Sequence, residues 1–160
     1  MSGDRPEPDQ LVRVVSAERI FRLIHPSWYK DGHLQSACLQ TKEWKGKPSK
    51  TDYGPSVFVV SKLAPEQDAG ACRHPDIAAL VSANPSWSTW GLAEIPVGVL
   101  EERGLVVRLS PMDCQQFPAL KQAHASLFGV TSDTRDMVVE ALDRYIISRG
   151  PEGILRPPKG

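Results

Sequence analysis

Apolar residues recur with two different spacings along this chain. Residues 11–15 (LVRVV) form a short β-branched run, and residues 18–25 (ERIFRLIH) carry Ile20, Phe21, Leu23 and Ile24. The second run fits both helical and alternating templates, but Pro26 stops it after eight residues, which favours a strand. Residues 55–63 (PSVFVVSKL) follow a Gly54-Pro55 turn and place Val57, Phe58, Val59 and Val60 on both faces, the pattern of a central strand. Residues 75–85 (PDIAALVSANP) predict a short helix, with Pro75 in its first turn and Pro85 past its end.

Four further elements follow. SWSTWGLAEIP is a loop entering a strand, PVGVLEERG a turn or short helix ended by Gly104, LVVRL a strand closed by Ser110-Pro111, and HASLFGV another strand. The last helix has the clearest pattern: Met137, Val138, Ala141, Leu142, Tyr145 and Ile146 make one continuous stripe, Ser132 or Asp133 can cap it, and Gly150-Pro151 stops it. Strands outnumber helices, and the long connecting helices of alternating parallel strands are missing. The expected class is therefore α+β, with a mixed β-sheet packed by a C-terminal amphipathic helix. We expect one globular domain over residues 11–148, a disordered tail over residues 1–10 and a flexible C-terminal tail over residues 149–160.

Composition agrees with one soluble core: 160 residues, 41% apolar and 24% charged. Nineteen basic residues balance nineteen acidic ones, so no global field gathers a polyanion. Nucleic-acid binding would need a local patch, and Lys42, Lys45, Lys47 and Lys50 around Trp44 are the candidate, equally readable as a solvated loop. Three cysteines without a CxxC pair point to reduced thiols, and Cys72 with His74 is too small a set for a structural metal. The opening residues lack a basic stretch followed by an apolar one, and no run is long enough to span a bilayer. A cytoplasmic location and no membrane partner are expected; no cofactor is indicated.

None of the common phosphate-loop, dinucleotide, nucleophile-elbow, zincin or EF-hand motifs is present. Polar residues at strand ends remain. With residues 18–25 as a strand, Arg22 and Ile24 share one face and His25 points to the other; on HASLFGV, His124, Ser126 and Phe128 share a face. If His25 and His124 met across the sheet, they would make an acid and base pair with Arg22 as an anion clamp and Ser56 positioning the substrate, which suits a nucleotide or phosphodiester. A strand-end histidine also serves commonly as a structural hydrogen-bond donor. The aromatic residues Trp28, Tyr29, Tyr53, Trp87 and Trp90 lie mostly in loops, where they can line a ligand pocket, anchor a protein partner or close the ends of the core.

FRLIHPSW, PSVFVV and AHASLFGV, in that order, resemble stretches of small uncharacterised bacterial proteins. More loosely, the chain is similar to ADP-ribosyltransferase-like domains, in which an early strand carries an Arg or His for the dinucleotide, a middle strand begins with Ser and a later strand supplies a Glu. That resemblance implies the first role for Arg22 or His25 and the second for Ser56; at the third position this chain has His124 instead of Glu. The expected function is recognition of a protein partner or small ligand through the HPSWYKDGH loop and the Trp87/Trp90 loop. An enzyme using Arg22, His25, Ser56 and His124 is the alternative.

Overall fold

A computed structural model of the chain describes residues 8–39, 55–63, 75–84, 89–110, 118–131, 133–149 and 154–156. Its elements, in chain order, are β1 (Arg19–Ile24), β2 (Tyr29–Lys30), β3 (His33–Leu34), β4 (Ser56–Val59), α1 (Pro75–Ala83), β5 (Gly91–Pro96), α2 (Val97–Glu101), β6 (Val106–Leu109), α3 (Pro118–Ala123), β7 (His124–Phe128), α4 (Arg135–Ser148) and β8 (Ile154–Arg156). Six strands form one sheet in the order β6, β7, β4, β1, β5, β8, while β2 and β3 form a separate hairpin. The α+β class is thus observed. The pairings sharpen the mixed sheet expected from the sequence, because every described strand pair is antiparallel.

The sheet is covered on both faces. Alternation along β1 sends Ile20 and Ile24 into a cluster with Val57, Val59, Ala93 and Leu127, closed by Val138, Val139, Leu142 and Ile146 of α4. Phe21 and Leu23 enter the opposite cluster with Phe58 and Leu92, covered by Ile77, Leu80 and Val81 of α1 and by Leu120 and Ala123 of α3. Those α1 positions follow the i, i+3, i+4 rule, so the helix buries one stripe. Strands β4 and β1 sit in the middle of the sheet and bury apolar residues on both faces, as the run of residues 57–59 predicts for β4.

Several boundaries differ from the sequence expectations. Val60 leaves the strand and starts a 3-10 turn, Val60–Lys62. The short β-branched run of residues 11–15 makes one isolated bridge, Arg13 with Arg108, in which Val14 N–H donates to Val107 O and Leu109 N–H donates to Val12 O. This segment covers the outer edge of β6, protecting backbone groups that would otherwise be left unpaired. On α4, Met137 is 71% exposed and Val139 is buried, so the buried stripe is turned by about one residue from the expected one. The N-cap position is Thr134 and not Asp133, and Ser132 lies outside the described residues; Thr131 and Thr134 hydroxyls bond each other and each other's backbone N–H. At the C-terminal end, the stretch expected to be a tail contributes β8, which pairs with β5. Pro8–Gln10, within the expected N-terminal tail, form a 3-10 turn.

Candidate functional site

The stretch after β1 is a compact, ordered corner instead of a plain loop. Pro26–Trp28 make a 3-10 turn capped by His25, whose Nδ1 accepts from Ser27 N–H at 3.0 Å. Ser27 Oγ lies 2.7 Å from the same nitrogen. Because a backbone N–H can only donate, Nδ1 carries the lone pair and the ring proton resides on Nε2. The chain then enters the β2–β3 hairpin through Asp31 and Gly32, both at positive φ (53° and 81°), as a two-residue type I′ turn requires.

Helix α4 holds this hairpin in place. Asp143 accepts from Leu34 N–H at 2.8 Å, and its other oxygen meets His33 Nδ1 at 2.9 Å. His33 is therefore a tie between hairpin and helix.

Three half-buried rings converge at this corner. His25 lies 5.5 Å from Trp28 and 5.0 Å from Trp90, and Trp28 lies 5.7 Å from Trp90, all in tilted or edge-on arrangements. Trp28 also packs on the cluster under α4 and Trp90 on the cluster under α1 and α3. The corner thus wraps the end of the sheet and joins its two cores. Tyr29 packs toward the α4 side, while Tyr53 and Trp87 lie outside the described residues.

Arg22 stands beneath this aromatic surface, with its guanidinium carbon 5.1 Å from the Trp28 ring centroid. On β5 it faces Ala93, so no acid meets it across the strand pair. Its Nη1 donates to Ser56 O at 2.8 Å and its Nη2 to Cys38 O at 2.6 Å, while its Nε is buried without a partner. Ser56 therefore meets Arg22 through its backbone carbonyl, not through the hydroxyl expected to position a substrate. Burial pushes the Cys38 thiol above its ordinary value near 9.0, and the charge and hydrogen bond of Arg22 oppose that rise. Behind Arg22, a cavity of about 10 Å³ between the sheet and α4 has room for about one water. It is too small for an organic ligand.

His124 belongs to a different neighbourhood. Across the sheet Phe21 pairs with Phe58, and Phe58 pairs with His124, which puts these three on one line. His25 lies four residues beyond Phe21 on β1, so at about 3.3 Å per residue and about 4.8 Å per strand its backbone is roughly 16 Å from that of His124. The acid and base pair expected from the sequence is not assembled. Instead His124 Nδ1 donates to the Ser110 carbonyl at 2.6 Å, and its ring stands edge-on to Phe58 at 5.7 Å. Ser110, buried like Ser126, completes the knot through a hydroxyl pair at 2.7 Å. Sequence reasoning paired the imidazole with Ser126 and missed Ser110, although the end of the LVVRLS run marks where that serine leaves β6.

Lys42, Lys45, Lys47, Lys50, Cys72 and His74 lie outside the described residues. No described helix is long and apolar enough to cross a membrane. No protein-family model, curated protein or solved structure matches this chain.

Proposed function

We propose that this protein is a binding module that recognises a small ligand or a segment of a protein partner at the corner built from His25, Trp28 and Trp90. One observation carries the reading: three rings from two separate segments meet at 5.0–5.7 Å at the end of β1 and stay half-buried, not enclosed. Such rings offer a large contact area with little side-chain entropy to lose. They stand on strand ends and a capped turn, so the contact surface is already fixed before binding. An enzyme mechanism based on paired histidines lacks that kind of support, since the sheet register holds His25 and His124 apart.

The test is a fragment screen with aromatic compounds, followed through the tryptophan indole N–H resonances. Hits are expected to move the Trp28 and Trp90 signals and to be lost in Trp28→Ala. Hits that leave both signals unmoved and bind Trp28→Ala as tightly as the wild type would overturn the reading.

A further inference from the structure

We propose that the ligand of this corner is a flat aromatic anion, selected by the uncompensated charge of Arg22 and by outward-facing N–H donors. The inference rests on the corner being the binding site. Its first support is a contrast between the arginines of β1. Arg19 reaches Glu94 on the neighbouring strand at 3.2 Å, whereas Arg22 faces Ala93 and makes no ion pair among the described residues. Two backbone carbonyls accept hydrogen bonds from its Nη groups, but neutral acceptors do not cancel its charge. A part-buried cation without a counter-ion is costly, and a bound anion would offset that cost.

The second support is the balance of donors and acceptors. The Trp28 indole N–H has no acceptor among the described residues and is not sealed from solvent. His25 spends its Nδ1 lone pair on Ser27 N–H, which leaves the Nε2 proton as the group it can offer to a ligand. Both rings therefore present N–H groups, and a ligand must bring the acceptors. Arg22 beneath the Trp28 ring adds a favourable field for negative charge on such a ligand. Stacking area selects the flat body and the charge selects the anion.

The probes are 1-naphthoate and its uncharged analogue 1-naphthamide, titrated against the full chain by tryptophan fluorescence. The carboxylate is expected to bind at least about tenfold more tightly, equivalent to about 1.4 kcal/mol. Arg22→Met should abolish that advantage and Arg22→Lys should retain most of it, while Trp28→Ala should weaken both probes. Equal affinities for the two probes in the wild type would overturn the anion inference but leave the corner as a docking surface. Failure of both probes to bind would count against the corner itself. An advantage that persists in Arg22→Met would overturn the assignment to Arg22. Should Arg22→Met not fold, a cationic probe of the same shape, 1-naphthylmethylammonium, decides in the wild type: beside an uncompensated cation it is expected to bind more weakly than the amide, and binding as tight as the carboxylate overturns the proposal.

Discussion

At the end of β1, His25 accepts a hydrogen bond on Nδ1 and turns its ring to two tryptophans; at the start of β7, His124 gives its Nδ1 proton to a carbonyl and stands on Phe58. Both residues occupy strand termini of one sheet, yet their surroundings divide the work. The His25 corner has exposed edges, N–H groups and, in Arg22, a charge that makes no ion pair among the described residues. The His124 knot pairs polar groups inward, with Ser110 and Ser126 both buried. Strand register decides what each strand-end histidine has to face.

The comparison breaks most visibly at Phe58, the ring that supports His124. Phe58→Ala should cost about 3–5 kcal/mol of unfolding free energy in urea, because a buried ring leaves a cavity; a loss below about 1 kcal/mol would show that the knot carries little packing. His124→Ala should cost about 1–3 kcal/mol by leaving the Ser110 carbonyl without its donor. His25→Ala, which removes the cap of a three-residue turn and one half-buried ring of the corner, should cost about 1 kcal/mol. If the two histidine variants were destabilised in the opposite order, the division of roles would fail.

The thiol beside Arg22 gives a pH test of the corner's interior. Below about pH 9 Cys38 holds its proton in both folded and unfolded chains, so it adds no pH dependence. As pH rises past the ordinary thiol value near 9.0, the unfolded chain ionises first while burial keeps the folded thiol protonated, and stability falls. Cys38→Ala should fall less steeply over the same alkaline range in a thermal-melt series; identical slopes would mean that the thiol is not held protonated by the fold. The smallest effect is expected at His33, which is 59% exposed: His33→Ala should cost up to about 1 kcal/mol, checked by urea unfolding.

Much of the frame was legible in the sequence. The runs around Phe21, Phe58, Leu92, Val107 and Leu127 became β1, β4, β5, β6 and β7, since apolar period and proline punctuation are local signals. The short α3 was missed because Leu120 and Ala123 give too few turns for a period, although Pro118 marks its start. The Asp31-Gly32 hairpin carried a readable turn signature that the reading of the segment as a loop passed over. Within the site, the meeting of Trp28 with Trp90 and the separation of His25 from His124 depend on strand register, which long-range pairing decides and no local pattern encodes. The carbonyl partners of Arg22 are equally invisible in a sequence, because every residue type supplies the same acceptor.

The most direct measurement is a long-range ¹H–¹⁵N correlation spectrum of the histidine imidazoles at a pH of about 8, above the usual titration range of the ring. Opposite hydrogen-bond roles predict opposite tautomers: the proton on Nε2 for His25 and on Nδ1 for His124. Finding both rings in the same tautomer would contradict the distinction between a donor-presenting corner and an inward-bonded knot.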